Sequence, residues 1–262
     1  MNEIISNAEL SPKLAELKRF LPFLIMAPYT KILFLAGSTA LGSPRPESDL
    51  DLIVVVQRNR VGLNRFFLEI ISRLLGIRRT KNNITNKICF NIFLSEAEPL
   101  LPHQDFIGAG FYKNIKPIWR DDKTAVEKFW KKNLWINKFC ELPPEARQLI
   151  FETNYIIINL TRKIFEHVLD FSGFGFILEK ITFGLQKFYL EKKFKKSNSG
   201  SLADFWVKPH LICYHFPVSN YAQMAQKMAK ATAISRTLDP ALEISRAGLT
   251  SPVDSSYFTS QE

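Results

Sequence analysis

Cysteine is scarce in this chain, with three among 262 residues: Cys89, Cys140 and Cys213. An odd number of widely spaced thiols excludes a disulfide framework and predicts buried thiols in a reducing compartment. Histidine is nearly as sparse, at four. His103 and His167 stand alone, and His210, Cys213 and His215 offer three ligands where structural zinc takes four, with no second ligand pair elsewhere. That segment reads instead as a strand or loop packed on the core. Long apolar runs are missing despite 22 phenylalanines, because Arg162 and Lys163 break Tyr155 to Phe176, and Glu179 and Lys180 break the next run. Phe20 to Pro28 is too short to span a membrane, and Met1-Asn2-Glu3 lacks the positive start of a secretory signal. These absences predict a cytoplasmic protein with no membrane partner. Acidic residues are outnumbered, 25 against 35 basic ones, for a net charge of +10 spread over both halves. The excess favours an anionic partner, whether a nucleoside triphosphate, RNA or another polyanion.

What the chain does have is concentrated near its start. Lys31 to Ala36 is an apolar run that reads as a buried strand, ended by a turn at Gly37-Ser38. The chain returns as Leu50 to Val56, rich in β-branched residues and read as a second strand. Side chains alternate faces along a strand, so Asp49 and Asp51 share one face while Leu50 and Leu52 take the other. Two carboxylates on one face suit a divalent cation, since Mg²⁺ takes hard oxygen ligands. Two such ions about 3.5–4 Å apart clamp the attacking and leaving oxygens of an in-line phosphoryl displacement. Gly37 lets the backbone approach phosphate without a Cβ, and the Ser38 hydroxyl can donate to the same oxygens.

Gly37-Ser38, a ten-residue gap from Thr39 to Ser48, and Asp49-Leu50-Asp51-Leu52 together resemble the signature of the DNA polymerase beta-like nucleotidyltransferase superfamily, especially its small bacterial members. The resemblance covers about the first hundred residues. It implies that the Gly-Ser pair holds a nucleoside triphosphate (NTP), with Ser48 and Arg45 of the same loop in the nucleotide-binding set. It implies that Asp49 and Asp51 hold Mg²⁺ (or Mn²⁺), and that a third carboxylate on a neighbouring strand completes the site and helps activate the acceptor hydroxyl. Here the chain departs from the pattern. The next strand, Lys87 to Leu94, carries Asn91 where the acid is expected. An asparagine can ligate through its carbonyl but brings no charge and cannot act as a base. Glu96 and Asp105 are the nearest acids that could substitute, although neither has the strand register. Asn91 therefore joins Asp49 and Asp51 as a candidate catalytic residue, with a structural hydrogen bond as its alternative role.

The wider pattern predicts an α+β fold. A helix over Leu10–Phe20, strands at 31–36, 50–56 and 87–94, a helix from Leu63 to Leu75 and a short strand at Asn114–Trp119 make a small mixed β-sheet with flanking helices, residues 1–121. Helices at Thr124–Asn137, Glu145–Asp170 and Phe174–Lys193, then Tyr221–Ser235, make an α-helical bundle domain, residues 122–236. Residues 237–262 are expected to be a disordered tail. Two basic runs stand out: Arg78-Arg79-Thr80-Lys81, placed to reach a triphosphate or acceptor across the mouth of the site, and Lys192 to Lys196, read as the solvated end of a long helix. Two function classes follow. One is an enzyme that moves a nucleoside monophosphate from an NTP to an acceptor hydroxyl by two-metal chemistry with release of pyrophosphate, the acceptor being a small molecule, a protein hydroxyl or an RNA end. The other is a nucleotide- or RNA-binding module that kept the fold and lost the chemistry, acting as a regulatory or partner-neutralising protein.

Overall fold

The computed structural model describes residues 12–42, 45–151, 155–197 and 206–213. Its centre is a run of strands that are apolar on both faces. β1 (Thr30–Ala36) pairs antiparallel with β2 (Leu50–Val56), and β2 runs parallel to β3 (Ile88–Ser95). All eight residues of β3 are buried, as expected of a parallel strand covered on both sides. β4 (Lys116–Arg120) adds to the free edge of β1. The far edge carries a hairpin, β5 (Trp206–Lys208) and β6 (Leu211–Cys213), whose second strand pairs with β3. The six strands lie in the order β4-β1-β2-β3-β6-β5. The mixed sheet and the bounds of β2 agree with the sequence reading. β6 falls in the segment read as a strand or loop packed on the core, with Ile212 and Cys213 fully buried, whereas β5 is an addition, because a strand of three residues carries too little alternation to be recognised.

Helices cover the sheet. α1 (Pro12–Ile25) buries Leu17, Leu21, Leu24 and Ile25. α2 (Gly37–Ala40) is a single turn directly after β1, and α3 (Val61–Leu74) connects β2 to β3. α4 (Phe106–Tyr112) is capped by Asp105, whose Oδ1 accepts from Gly108 N at 2.8 Å. α5 (Ala125–Lys132) stops short of the expected Asn137 and continues as a 3₁₀ turn over Leu134–Lys138. The reason is Asn133, which is fully buried and whose side chain binds Leu101 N, Pro99 O and Phe129 O, fixing a break there. The helix expected from Glu145 begins only at Ile156. Pro144–Arg147 is a separate 3₁₀ turn, Ile150 N donates to Pro117 O of β4, and Phe151 is buried.

α6 (Ile156–Phe171) and α7 (Phe174–Ser197) are keyed onto the sheet by buried charge. Arg162 of α6 has no exposed surface in its side chain, donates to Thr30 O at 2.7 Å, pairs with Asp121 and Glu166, and lies over the Trp119 ring. Glu179 of α7 accepts from Gly62 N at 2.9 Å and Leu63 N at 2.7 Å, two of the donors that the start of α3 leaves unpaired. Gly62 makes that approach possible, since a Cβ there would lie 2.7–2.8 Å from Phe183. Leu169 and Leu190 belong to the same buried cluster as Leu17, Leu33 and Val54. The helix expected at Tyr221–Ser235, the tail at 237–262 and His215 lie outside the described residues.

Candidate active site

The site is built where β1 ends and β2 begins. Ala36 lies opposite Asp51, so Gly37 turns away directly beside the aspartate. Gly37 adopts a φ of +68°, and a Cβ at this position would run into Asp51 Oδ2. Both constraints demand glycine: the left-handed backbone, and the contact between main chain and carboxylate. On its other side Asp51 lies opposite Cys89 of β3. The register then slips between Leu52 and Ile53, which pair with Phe90 and Ile92, so that Asn91 sits at the irregularity. Such a bulge re-aims a side chain. Asn91 Nδ2 donates to Asp51 Oδ1 at 2.8 Å, leaving Oδ2 on the Gly37 side.

Asp49, Asp51 and Cys89 converge, with one ligand atom from each lying within 4.8 Å of the others. Burial pushes the Asp51 carboxyl up to about 6, and the Asp49 charge adds to the rise, while the Asn91 hydrogen bond and Arg79 offset part of it. Burial also raises the Cys89 thiol, to about 11, with Asp51 and Asp49 adding to the effect. The thiol is therefore protonated at neutral pH, and its Sγ donates to Asn91 Oδ1 at 3.2 Å. Arg79 closes the group. Its Nε lies 3.0 Å from Asp49 Oδ2 and its Nη1 donates to Cys89 Sγ at 3.7 Å.

The remaining sequence candidates divide. Ser38 Oγ and Ser48 Oγ are 3.3 Å apart, and Ser48 Oγ donates to Arg45 O at 2.9 Å. Ser38 and Ser48 are thus joined to each other beside the aspartates, while the Arg45 residue is exposed and joins the loop through its carbonyl. The substitute acids stand elsewhere. Glu96 follows the far end of β3, where its N–H bonds Val56 O, roughly 16 Å along the sheet from Asp51 at about 3.3 Å per residue. Asp105 is the cap of α4. Sequence reasoning missed Cys89 and the pairing of Arg79. Cys89 shares the two-residue period of Asn91 and was legible on that ground, whereas a contact between Arg79 and Asp49 joins residues 30 apart with no pattern to reveal it.

Beside Cys89 opens a cavity of about 620 Å³ whose lining includes Arg73, Arg79, Lys81, Tyr189 and Lys193. Among the described residues Glu69 is the only carboxylate in the lining, and it is already engaged by Arg65, Arg73 and Arg78. A second cavity, about 330 Å³, sits by Lys31, Glu96 and Asp121, and neither lining includes Asp49 or Asp51, the first meeting the site through Cys89 and Arg79.

The nucleotidyltransferase-domain family model matches residues 15–198, which spans the sheet and both long helices. The chain belongs to this nucleotidyltransferase family. No curated protein matches it. Membership covers general nucleotidyl transfer and a nucleotide substrate, and the carboxylate pair supplies a donor set that suits the divalent metal such domains generally use. The donors fit one hard cation between Asp49 and Asp51. Cys89 as a neutral thiol and Asn91 as an amide add no further charge, and among the described residues no third carboxylate joins this group. No described helix is long and apolar enough to cross a membrane.

Proposed function

We propose that this protein transfers a nucleoside monophosphate from an NTP to an acceptor hydroxyl. The observation that carries the reading is the close approach of the Gly37 backbone to the Asp51 carboxylate beside Asp49, which sets a left-handed glycine turn directly against a carboxylate pair. In this reading Gly37 and Ser38 hold the triphosphate, with Ser48 and Arg45 supporting the turn. Asp49 and Asp51 hold Mg²⁺ (or Mn²⁺), which, when bound, neutralises charge on the phosphoryl oxygens and polarises the transferred group. Asn91 fixes Asp51 by its hydrogen bond, so that Oδ2 faces the cation position. In the transfer the acceptor oxygen bonds the α-phosphorus, the bond from that phosphorus to the β-bridging oxygen breaks, and the acceptor proton and pyrophosphate leave. Of the two-metal arrangement that the sequence suggested, the donor set supports one position. The proposed activity belongs in the cytoplasm, where NTP and Mg²⁺ are available.

The acceptor enters on the β3 side. The nucleotide turn occupies the β1 side of Asp51, and the basic cavity opens beyond Cys89 on the other. Tyr189 and Lys193 put α7 in its wall, so in this reading the long helices beyond residue 121 shape the acceptor pocket beside the sheet. The excess of cations there favours a phosphate-bearing acceptor over a neutral small molecule.

A second reading is favoured by Asn91 standing where an acid is needed: a binding module of the same fold with weakened chemistry. Incubation of the purified protein with α-labelled NTPs, Mg²⁺ or Mn²⁺ and candidate acceptors separates them. Label transfer with stoichiometric pyrophosphate supports the enzyme, and metal-dependent nucleotide binding with no transfer to any acceptor supports the module.

A further inference from the structure

The two arginines at the start of the basic run have different tasks. Arg78 is engaged on all sides: its Nε and Nη2 each lie 3.0 Å from Glu69, and its Nη1 donates to Ile88 O at 2.9 Å. The Arg79 backbone is fixed in the same way, its N–H also reaching Ile88 O at 3.0 Å, but its side chain turns to the site. Its guanidinium bridges Asp49 Oδ2 and Cys89 Sγ, remains 36% exposed, and borders the basic cavity. An oxygen that a hard cation needs is thus held by the chain's own cation.

We infer that Arg79 is a counter-ion latch, resting on Asp49 and displaced when nucleotide and metal arrive together. The inference rests on the reading of Asp49 and Asp51 as the metal ligands. Asp49 Oδ2 cannot serve the guanidinium and a divalent ion at full strength at once, and two positive charges within a few ångströms repel. Metal alone must break the Arg79 contact without compensation. A triphosphate brings negative charge to the same mouth and offers the freed guanidinium a phosphate partner, for which its planar fork is suited. The latch therefore makes metal affinity conditional on nucleotide and keeps the carboxylates neutralised in between.

The test is Mn²⁺ affinity of the full chain, read by electron paramagnetic resonance or calorimetry, with and without a non-hydrolysable NTP analogue. Arg79→Gln is expected to tighten Mn²⁺ binding in the absence of nucleotide by about tenfold or more. It is expected to shrink the enhancement that the analogue produces by a similar factor. Arg79→Lys, which keeps the charge on a shorter-range partner, falls between. In Asp49→Asn, where the latch has nothing to hold, adding Arg79→Gln gives no comparable gain, a coupling that a merely structural arginine would not show. Equal Mn²⁺ affinity of the parent and Arg79→Gln without nucleotide overturns the latch and leaves the metal ligands standing. Undiminished Mn²⁺ binding by Asp49→Asn with Asp51→Asn overturns the ligand assignment itself, and the latch with it.

Discussion

Asn91 and Asp51, on neighbouring parallel strands, are joined by a hydrogen bond of 2.8 Å from an amide to a carboxyl whose pKa burial raises to about 6. The amide holds Asp51 in place and, being neutral, offers no carboxylate base there for the proposed acceptor hydroxyl. Asn91→Asp is expected to raise transfer by about 10²-fold, the lower end of what a positioned general base contributes, as measured by the initial rate of pyrophosphate release. A fall in rate on this substitution would instead make the amide itself the working group.

The raised acid at Asp51 fixes the sign of a pH effect on the metal-free protein. Its folded value, about 6, lies above the unfolded one, about 3.9. The native state then binds the proton more tightly, so this group adds stability as pH falls from about 6 towards 4 and costs stability above 6. Glu166 and Glu179 are raised by burial as well, and Glu69 and Asp121 are lowered by their arginine partners, so the readout is a difference. Denaturant titrations of the parent and Asp51→Asn without metal should show the variant more stable at pH 7, by up to about 3 kcal/mol, with the gap closing by pH 4. A gap independent of pH would show that Asp51 carries no such strain.

Gly37→Ala is expected to abolish nucleotide binding. It places a Cβ against Asp51 Oδ2 and imposes a left-handed backbone on alanine, a cost of about 1–2 kcal/mol before any contact is counted. The control is Gly42→Ala, which shares the positive φ but has open space around its Cβ. It should lose stability modestly and still bind, as calorimetry with NTP and Mg²⁺ can show.

For the acceptor cavity, Lys193→Glu is expected to raise KM for a phosphate-bearing acceptor while leaving NTP affinity unchanged, because Lys193 lines the cavity on α7 and the nucleotide turn lies on the opposite side of Asp51. Parallel steady-state titrations of donor and acceptor check the split. Equal losses for both would place the cavity at the donor.

How much of this was legible in the sequence follows the range of each interaction. The Gly37 to Asp51 element is local: one strand, one turn, one return strand, with alternation doing the placing, and its strands fall where the pattern puts them. Asn91 was legible as a polar residue of the neighbouring strand, and it lies within hydrogen-bond reach of Asp51. What the sequence hid depends on distant pairs. Arg162, set in a helix that reads as a charge-broken apolar run, spends its charge on Asp121 and the Thr30 carbonyl beneath the sheet. Glu179, read from sequence only as a charge that breaks an apolar run, caps α3 from 116 residues away. The chain leaves the helical path after Arg147, where Ile150 bonds β4 and Phe151 is buried, a tertiary demand that helical periodicity cannot anticipate.

The most direct measurement is a calorimetric titration of NTP with Mg²⁺ into the parent and into the double variant Asp49→Asn, Asp51→Asn. The account predicts saturable, Mg²⁺-dependent binding by the parent and its loss in the double variant, whose fold is retained and whose thermal stability is unchanged or higher. Binding of NTP with Mg²⁺ by the double variant as tight as by the parent would contradict it.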